Sequence, residues 1–78
     1  MNKVNILRPV ADICDDHPEL IDLLVDMGFK PLGQKIMRET LGRKVSLKTG
    51  TKVIGLPLDT LIKKLEANGY TVVEEALE

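Results

Sequence analysis

Few side chains in this sequence carry reactive chemistry, and their spacing limits what each can do. Cys14 is the one thiol, so neither an internal disulfide nor a Cys-x-x-Cys or zinc set can be assembled. It shares an apolar stripe with Val10 and Ile13 while Asp12, Asp15 and Asp16 surround it. That setting suits a small core hydrophobe and disfavours a reactive thiolate. His17 is the one imidazole, placed at a helix boundary with no visible set of co-ligands, so it reads as structural. The pairs Asp15–Asp16 and Glu74–Glu75 are adjacent in sequence, and adjacent side chains diverge on a helix or a strand. No nucleophile stands beside a base, and there is no phosphate-binding loop or dinucleotide fingerprint. The residues imply no enzyme, no cofactor and no metal.

What remains is charge. Residues 1–27 hold two Lys/Arg against six Asp/Glu, residues 28–64 hold nine against two, and the tail adds four Glu, although the net charge is only -1. The basic middle either folds back on the acidic ends as solvated, mutually attracting faces, or forms an anion-binding or partner-docking face. Its focus is GFKPLGQ, Gly28 to Gln34. Read as a joint, Phe29 and Leu32 staple two helices, Pro31 stiffens the turn and Gly33 supplies a permissive backbone. Read as a site, Phe29, Lys30, Pro31, Leu32, Gly33, Gln34, Lys35 and Arg38 form a recognition surface, with Lys30, Lys35 and Arg38 around an apolar floor. The N-terminus of a helix starting near Leu32 would add free N–H groups for a small anion or a partner's carboxylate.

The elements that must position these residues follow from periodicity. KVNIL (3–7) alternates and predicts a short strand. Pro9 opens a helix to about Asp15, and Pro18 opens a second whose face is Leu20, Leu23, Leu24 and Met27, with Gly28 as its cap. Gln34 to Leu41 gives a third, with Ile36, Met37 and Leu41 inward. Ser46 caps LKTGTKVI; the Gly50 inside it costs about 1 kcal/mol against alanine and predicts a helix crossing close by. After Gly55 and Pro57, Leu58, Leu61, Ile62 and Leu65 stripe a fifth helix ending at Asn68-Gly69. YTVVE (70–74) is β-prone and can pair with KVNIL, tying the ends together. The expected fold is a single all-α domain over residues 1–78: a compact array of about five short helices with a small two-stranded pairing of the chain ends. An aliphatic core with one Phe and one Tyr in 78 residues, without a signal-peptide pattern or a membrane-length apolar run, suits a soluble protein in a reducing cytoplasm.

SLKTGTKVIGLPLDTLIKKL also resembles a helix-turn-helix, with NGYTVV as a winged ending, inside the basic segment. The would-be recognition helix opens Leu58, Asp59, Thr60, apolar and acidic where base edges would be read, which makes nucleic acid the runner-up partner.

PVADICDDHPELIDLLVDMGFKPLGQ and SLKTGTKVIGLPLDTLIKKLEANGY together resemble the small helical domain associated with hybrid-cluster proteins, a redox-disulfide domain. They are similar also to the N-terminal domains of haemerythrin-like and iron-sulfur-repair proteins. The resemblance covers nearly the whole chain, and its most characteristic passage is residues 17–29. In the redox branch a Cys-x-x-Cys follows the Gly-Phe, which here would fall at Pro31 and Gln34, so that dithiol chemistry has no counterpart in this chain. The resemblance implies a non-catalytic accessory domain in a redox or iron-sulfur setting, binding a partner protein or a small anionic ligand. A homodimer contact is expected around Ile36 and Met37.

Overall fold

The computed structural model describes residues 2–76. In chain order the elements are β1 (Lys3–Asn5), α1 (Val10–Asp16), α2 (Leu20–Asp26), a 3-10 turn (Lys30–Gly33), α3 (Lys35–Thr40), α4 (Leu47–Ile54), α5 (Leu58–Ala67) and β2 (Thr71–Val73). The five helices and the pairing of the chain ends are as the sequence predicts. The pairing is parallel, Val4 opposite Val72, with Lys3 opposite Thr71 and Asn5 opposite Val73. A parallel pair needs a long crossover, and here all the helices form it. Asn5 extends the tie: its side chain donates to the Glu75 carbonyl (2.9 Å) and accepts from the Glu75 N–H (3.2 Å).

Three helices end by one device. In α2 the Gly28 N–H donates to the Val25 carbonyl and the Phe29 N–H to Leu24; α4 repeats this with Gly55 to Lys52 and Leu56 to Thr51, and α5 with Gly69 to Glu66 and Tyr70 to Leu65. This is the Schellman arrangement, which needs a left-handed residue after the last turn. The three glycines have φ of 122°, 73° and 89°. In each case the next residue is apolar (Phe29, Leu56, Tyr70) and folds back onto the core.

The starts of α1 and α4 satisfy each other. Pro9 precedes α1 and offers no capping side chain, so the first N–H groups of that helix need outside acceptors. Val10 donates to the Val45 carbonyl and Ala11 to Gly42, while Leu47 and Lys48, at the start of α4, donate to Arg8 and Ile6. Ser46 adds its predicted cap, accepting from the Thr49 N–H at 3.1 Å. The Ile6 N–H donates to Val73, so the strand pair and both helix starts hang on residues 6–11.

Val4, Ile6, Ile13, Leu20, Leu24, Leu47, Leu61 and Leu65 form the center of an aliphatic core, with Cys14 buried among them. Residues 30–33 of GFKPLGQ form a 3-10 turn, and Phe29 and Leu32 are buried, the packing that the joint reading expects of them. Two expectations are corrected. The face of Ile36, Met37 and Leu41 does not turn inward: α3 buries no residue, and Ile36 is 75% and Leu41 48% exposed. The close neighbour of Gly50 is not a helix but the Phe29 ring; a Cβ at residue 50 would lie 2.9 Å from Phe29 Cε1. Among the described residues no helix is long and apolar enough to cross a membrane.

The Gly50 contact sets two effects against each other. Alanine gains about 1 kcal/mol of helix propensity, whereas overpacking costs about 1–3 kcal/mol. Gly50→Ala is expected to lower stability by about 1 kcal/mol in urea unfolding, and to become neutral or stabilising in a Phe29→Leu background. A higher urea midpoint in both backgrounds would show that the ring does not press on this helix.

Candidate functional site

The Schellman turn after α2 delivers Phe29 over Gly50, and the 3-10 turn that follows places Pro31 and Leu32 beside it. The residue 42–48 stitch brings Leu41, Gly42 and Val45 alongside, and α4 contributes Val53 and Ile54. Together with Val10 these residues enclose an open groove of about 180 Å³ whose lining is wholly apolar. Phe29 and Leu32 are buried at its base; Leu41 and Val53, the latter 76% exposed, stand out as large hydrophobics on the surface.

The predicted site residues divide between the groove and the turn. Phe29, Pro31 and Leu32 line the groove, and Lys30, exposed between two of them, stands beside it. Gly33, Gln34 and Lys35 are exposed and contribute no lining. Gly33 has no positive φ, so the permissive backbone expected there is used at Gly28 instead. Arg38 Nη1 donates to the Leu32 carbonyl at 2.6 Å, bracing the 3-10 turn. The helix expected from Leu32 begins at Lys35, and the Leu32 and Gln34 N–H groups are taken by Phe29 and Pro31 within the turn. Sequence reasoning missed Val10, Leu41, Gly42, Val45, Gly50, Val53 and Ile54 as lining. One signal was present: Val53 lies off the Leu47–Ile54 stripe, an apolar residue with no core to face.

The basic middle is only partly neutralised. Arg43 reaches Asp12 (2.6 Å), Asp15 (2.9 Å) and Glu39 (2.9 Å), hydrogen bonds that push its pKa up and fix its charge. Lys48 pairs with Glu74. Lys30, Lys44 and Lys52 are exposed, each next in sequence to a lining residue, and none has a carboxylate partner among the described residues.

The titrating groups with displaced pKa values lie outside the groove. Burial pushes the Cys14 thiol up, and the Arg38 charge offsets that only in part, which keeps the thiol protonated and inert. The Arg8 hydrogen bond and charge hold Asp16 low. His17 packs edge-on against Tyr70, centroids 5.4 Å apart, with Nδ1 3.5 Å from Glu19 and Nε2 3.3 Å from the Lys3 carbonyl. It thus joins the α1–α2 corner to both chain ends. Among the described residues no three His, Cys, Asp or Glu gather to hold a metal. The NGYTVV segment makes no wing, since its strand pairs in parallel with β1.

The family model described as "Domain of unknown function (DUF1858)" matches residues 6–62. The chain belongs to this family. No curated protein matches it. The DUF1858 chain is similar to a conserved domain protein from Streptococcus pneumoniae TIGR4, known from a crystal structure. The two are 49% identical over 97% of this chain and 96% of that one, with a TM-score of 0.93. The DUF1858 match contains every groove residue and ends before β2.

The Tyr70 hydroxyl donates to the Glu19 carboxylate. That bond holds Glu19 below its ordinary value near 4.5 and pushes Tyr70 up to about 12. A lowered carboxyl stabilises the fold above its ordinary value and loses that contribution as pH falls through the folded value. A raised phenol contributes fully below 10.0 and loses it as pH rises through about 12. Urea midpoints of the protein and its Tyr70→Phe variant should therefore differ by a small, constant amount between about pH 5 and 10 and converge on either side. A gap that persists unchanged at about pH 3 would mean that the bond adds nothing beyond ring packing.

Proposed function

We propose that this DUF1858 chain is a non-catalytic accessory domain that acts by binding, and that its binding site is the groove beside the Phe29–Gln34 turn. The observation that carries this reading is the lining: an open, wholly apolar concavity on a small domain, with large hydrophobics left exposed at its edge. Apolar surface left open in this way marks interaction sites. A catalytic reading finds little to use, because the lining holds no acid, base or nucleophile. The shifted groups Asp16, Glu19, Arg43 and Tyr70 are explained by ion pairs and hydrogen bonds at the surface.

Resemblance to the domains associated with hybrid-cluster proteins suggests a cytoplasmic redox or iron-sulfur setting. In the redox branch the thiols would stand at Pro31 and Gln34, on the turn that forms one wall of the groove. In this reading the chain keeps the recognition surface and has dispensed with the dithiol. The occupant is a partner protein or a small ligand. Apolar surface at Ile36, 75% exposed, leaves room for a second copy elsewhere on the domain.

Titration with indole, a small apolar ring, tests the groove without presuming a partner. Saturable shifts are expected in the methyl resonances of Val10, Leu41, Val45 and Val53, weakened several-fold in Val53→Glu. That side chain is exposed, so the substitution should leave stability within about 0.5 kcal/mol. Shifts that never saturate, or that spread evenly over the surface, would contradict a binding groove.

A further inference from the structure

The groove's size, lining and rim together restrict what fills it. At about 180 Å³ it falls below the roughly 300–1,000 Å³ of sites that enclose a cofactor or a metabolite. It matches a single large side chain, since a cavity of about 150 Å³ already accepts a benzene ring. With no polar group in the lining, it offers no backbone N–H or C=O to a peptide that would add as a β-strand. A helix satisfies its own backbone and can present one face of apolar anchors.

Lys30, Lys44 and Lys52 then decide the charge of that helix. They are the chain neighbours of Phe29 and Pro31, of Val45 and of Val53, so each belongs to a segment that contributes to the lining. All three are exposed and lack a carboxylate partner among the described residues, whereas neighbouring Arg43 is saturated by three carboxylates. A second copy of this chain is a poor occupant: Leu41 and Val53 already belong to the groove, and Ile36 is flanked by Lys35 and Arg38, which would face the rim lysines as like charges.

Resting on the binding reading above, we infer that the groove docks an acidic amphipathic helix of another protein, one large apolar side chain seated against Phe29 and Leu32 and its carboxylates facing Lys30, Lys44 and Lys52. The apolar anchor supplies most of the affinity, and the lysines set orientation and partner choice, as charges at an interface rim do. Binding weakens as salt rises, because these charges are exposed and screened.

The test uses the intact chain and two amphipathic peptides of about 14 residues, long enough to form a helix on binding. They have identical Leu/Phe anchors, one with Glu and the other with Lys on the flanking positions. The Glu peptide is expected to bind about tenfold more tightly at low salt, with methyl shifts at Val45 and Val53. Its advantage should vanish in a Lys30→Glu/Lys44→Glu/Lys52→Glu variant that keeps the native methyl spectrum. Equal binding of both peptides through the groove would overturn the acidic partner and leave the binding reading intact. If neither peptide binds and indole also fails, the binding reading falls with it. Self-association that occupies the groove, or duplex DNA that displaces the Glu peptide, would assign the surface to a second copy or to nucleic acid and overturn the inference.

Discussion

The structure depends on an exchange of backbone hydrogen bonds between residues 6–11 and 42–48. Each helix start leaves N–H groups without intrahelical acceptors, and here α1 and α4 supply carbonyls for one another from the segments that precede them. Neither start could be buried without the other. The N-terminal partner of this stitch continues into β1, whose pairing with β2 brings the end of the chain to its beginning. In a domain of this size, where a single hydrophobic core is marginal, such closure ties β1 and β2 to the core.

The groove is a product of the same constraint. The stitch fixes one wall, residues 42–45, against α1, and the capped end of α2 fixes the other by turning Phe29 inward. Gly50 lets the ring approach the α4 backbone, so the groove's floor is an edge of the core and not a separate construction. Arg38 holds the 3-10 turn closed by capping the Leu32 carbonyl, which leaves the turn's outer face to Lys30. The acidic α1 surface is consumed internally by Arg8 and Arg43, while Lys30, Lys44 and Lys52, like Lys35, Lys63 and Lys64, have no carboxylate partner among the described residues. Charge segregation in the sequence thus has both origins: part is mutual attraction within the fold and part is surplus on exposed lysines.

Much of the fold is legible in the sequence, for identifiable reasons. Gly28, Gly55 and Gly69 each follow an apolar stripe and precede an apolar residue, which announces both the end of a helix and the inward turn after it. Ser46 is a cap that behaves as its type predicts, and Val4 and Ile6 alternate as buried strand residues do. Two features were hidden. The 3-10 turn has no periodicity of its own in four residues, so GFKPLGQ reads as a joint packed by Phe29 and Leu32 without revealing how the backbone winds between them. Ile36 and Leu41 share helical spacing, but spacing reports only which residues share a face, not whether the core has room for that face. The groove as a whole could not be read from any one stretch, because its lining comes from four separate stretches of the chain; the apolar floor at Phe29–Leu32 and Val53, apolar and off its stripe, each hinted at a part of it.

The central claim, that the residue 6–11 and 42–48 exchange holds the domain and its groove together, is tested most directly by native-state hydrogen exchange. The amides of Val10, Ala11, Leu47 and Lys48 should exchange only through global unfolding, with the same dependence on denaturant as the buried Leu61 and Leu65 amides. Exchange of those four amides at rates typical of loops, while the helix interiors stay protected, would show that the exchange is incidental and that side-chain packing alone positions the groove.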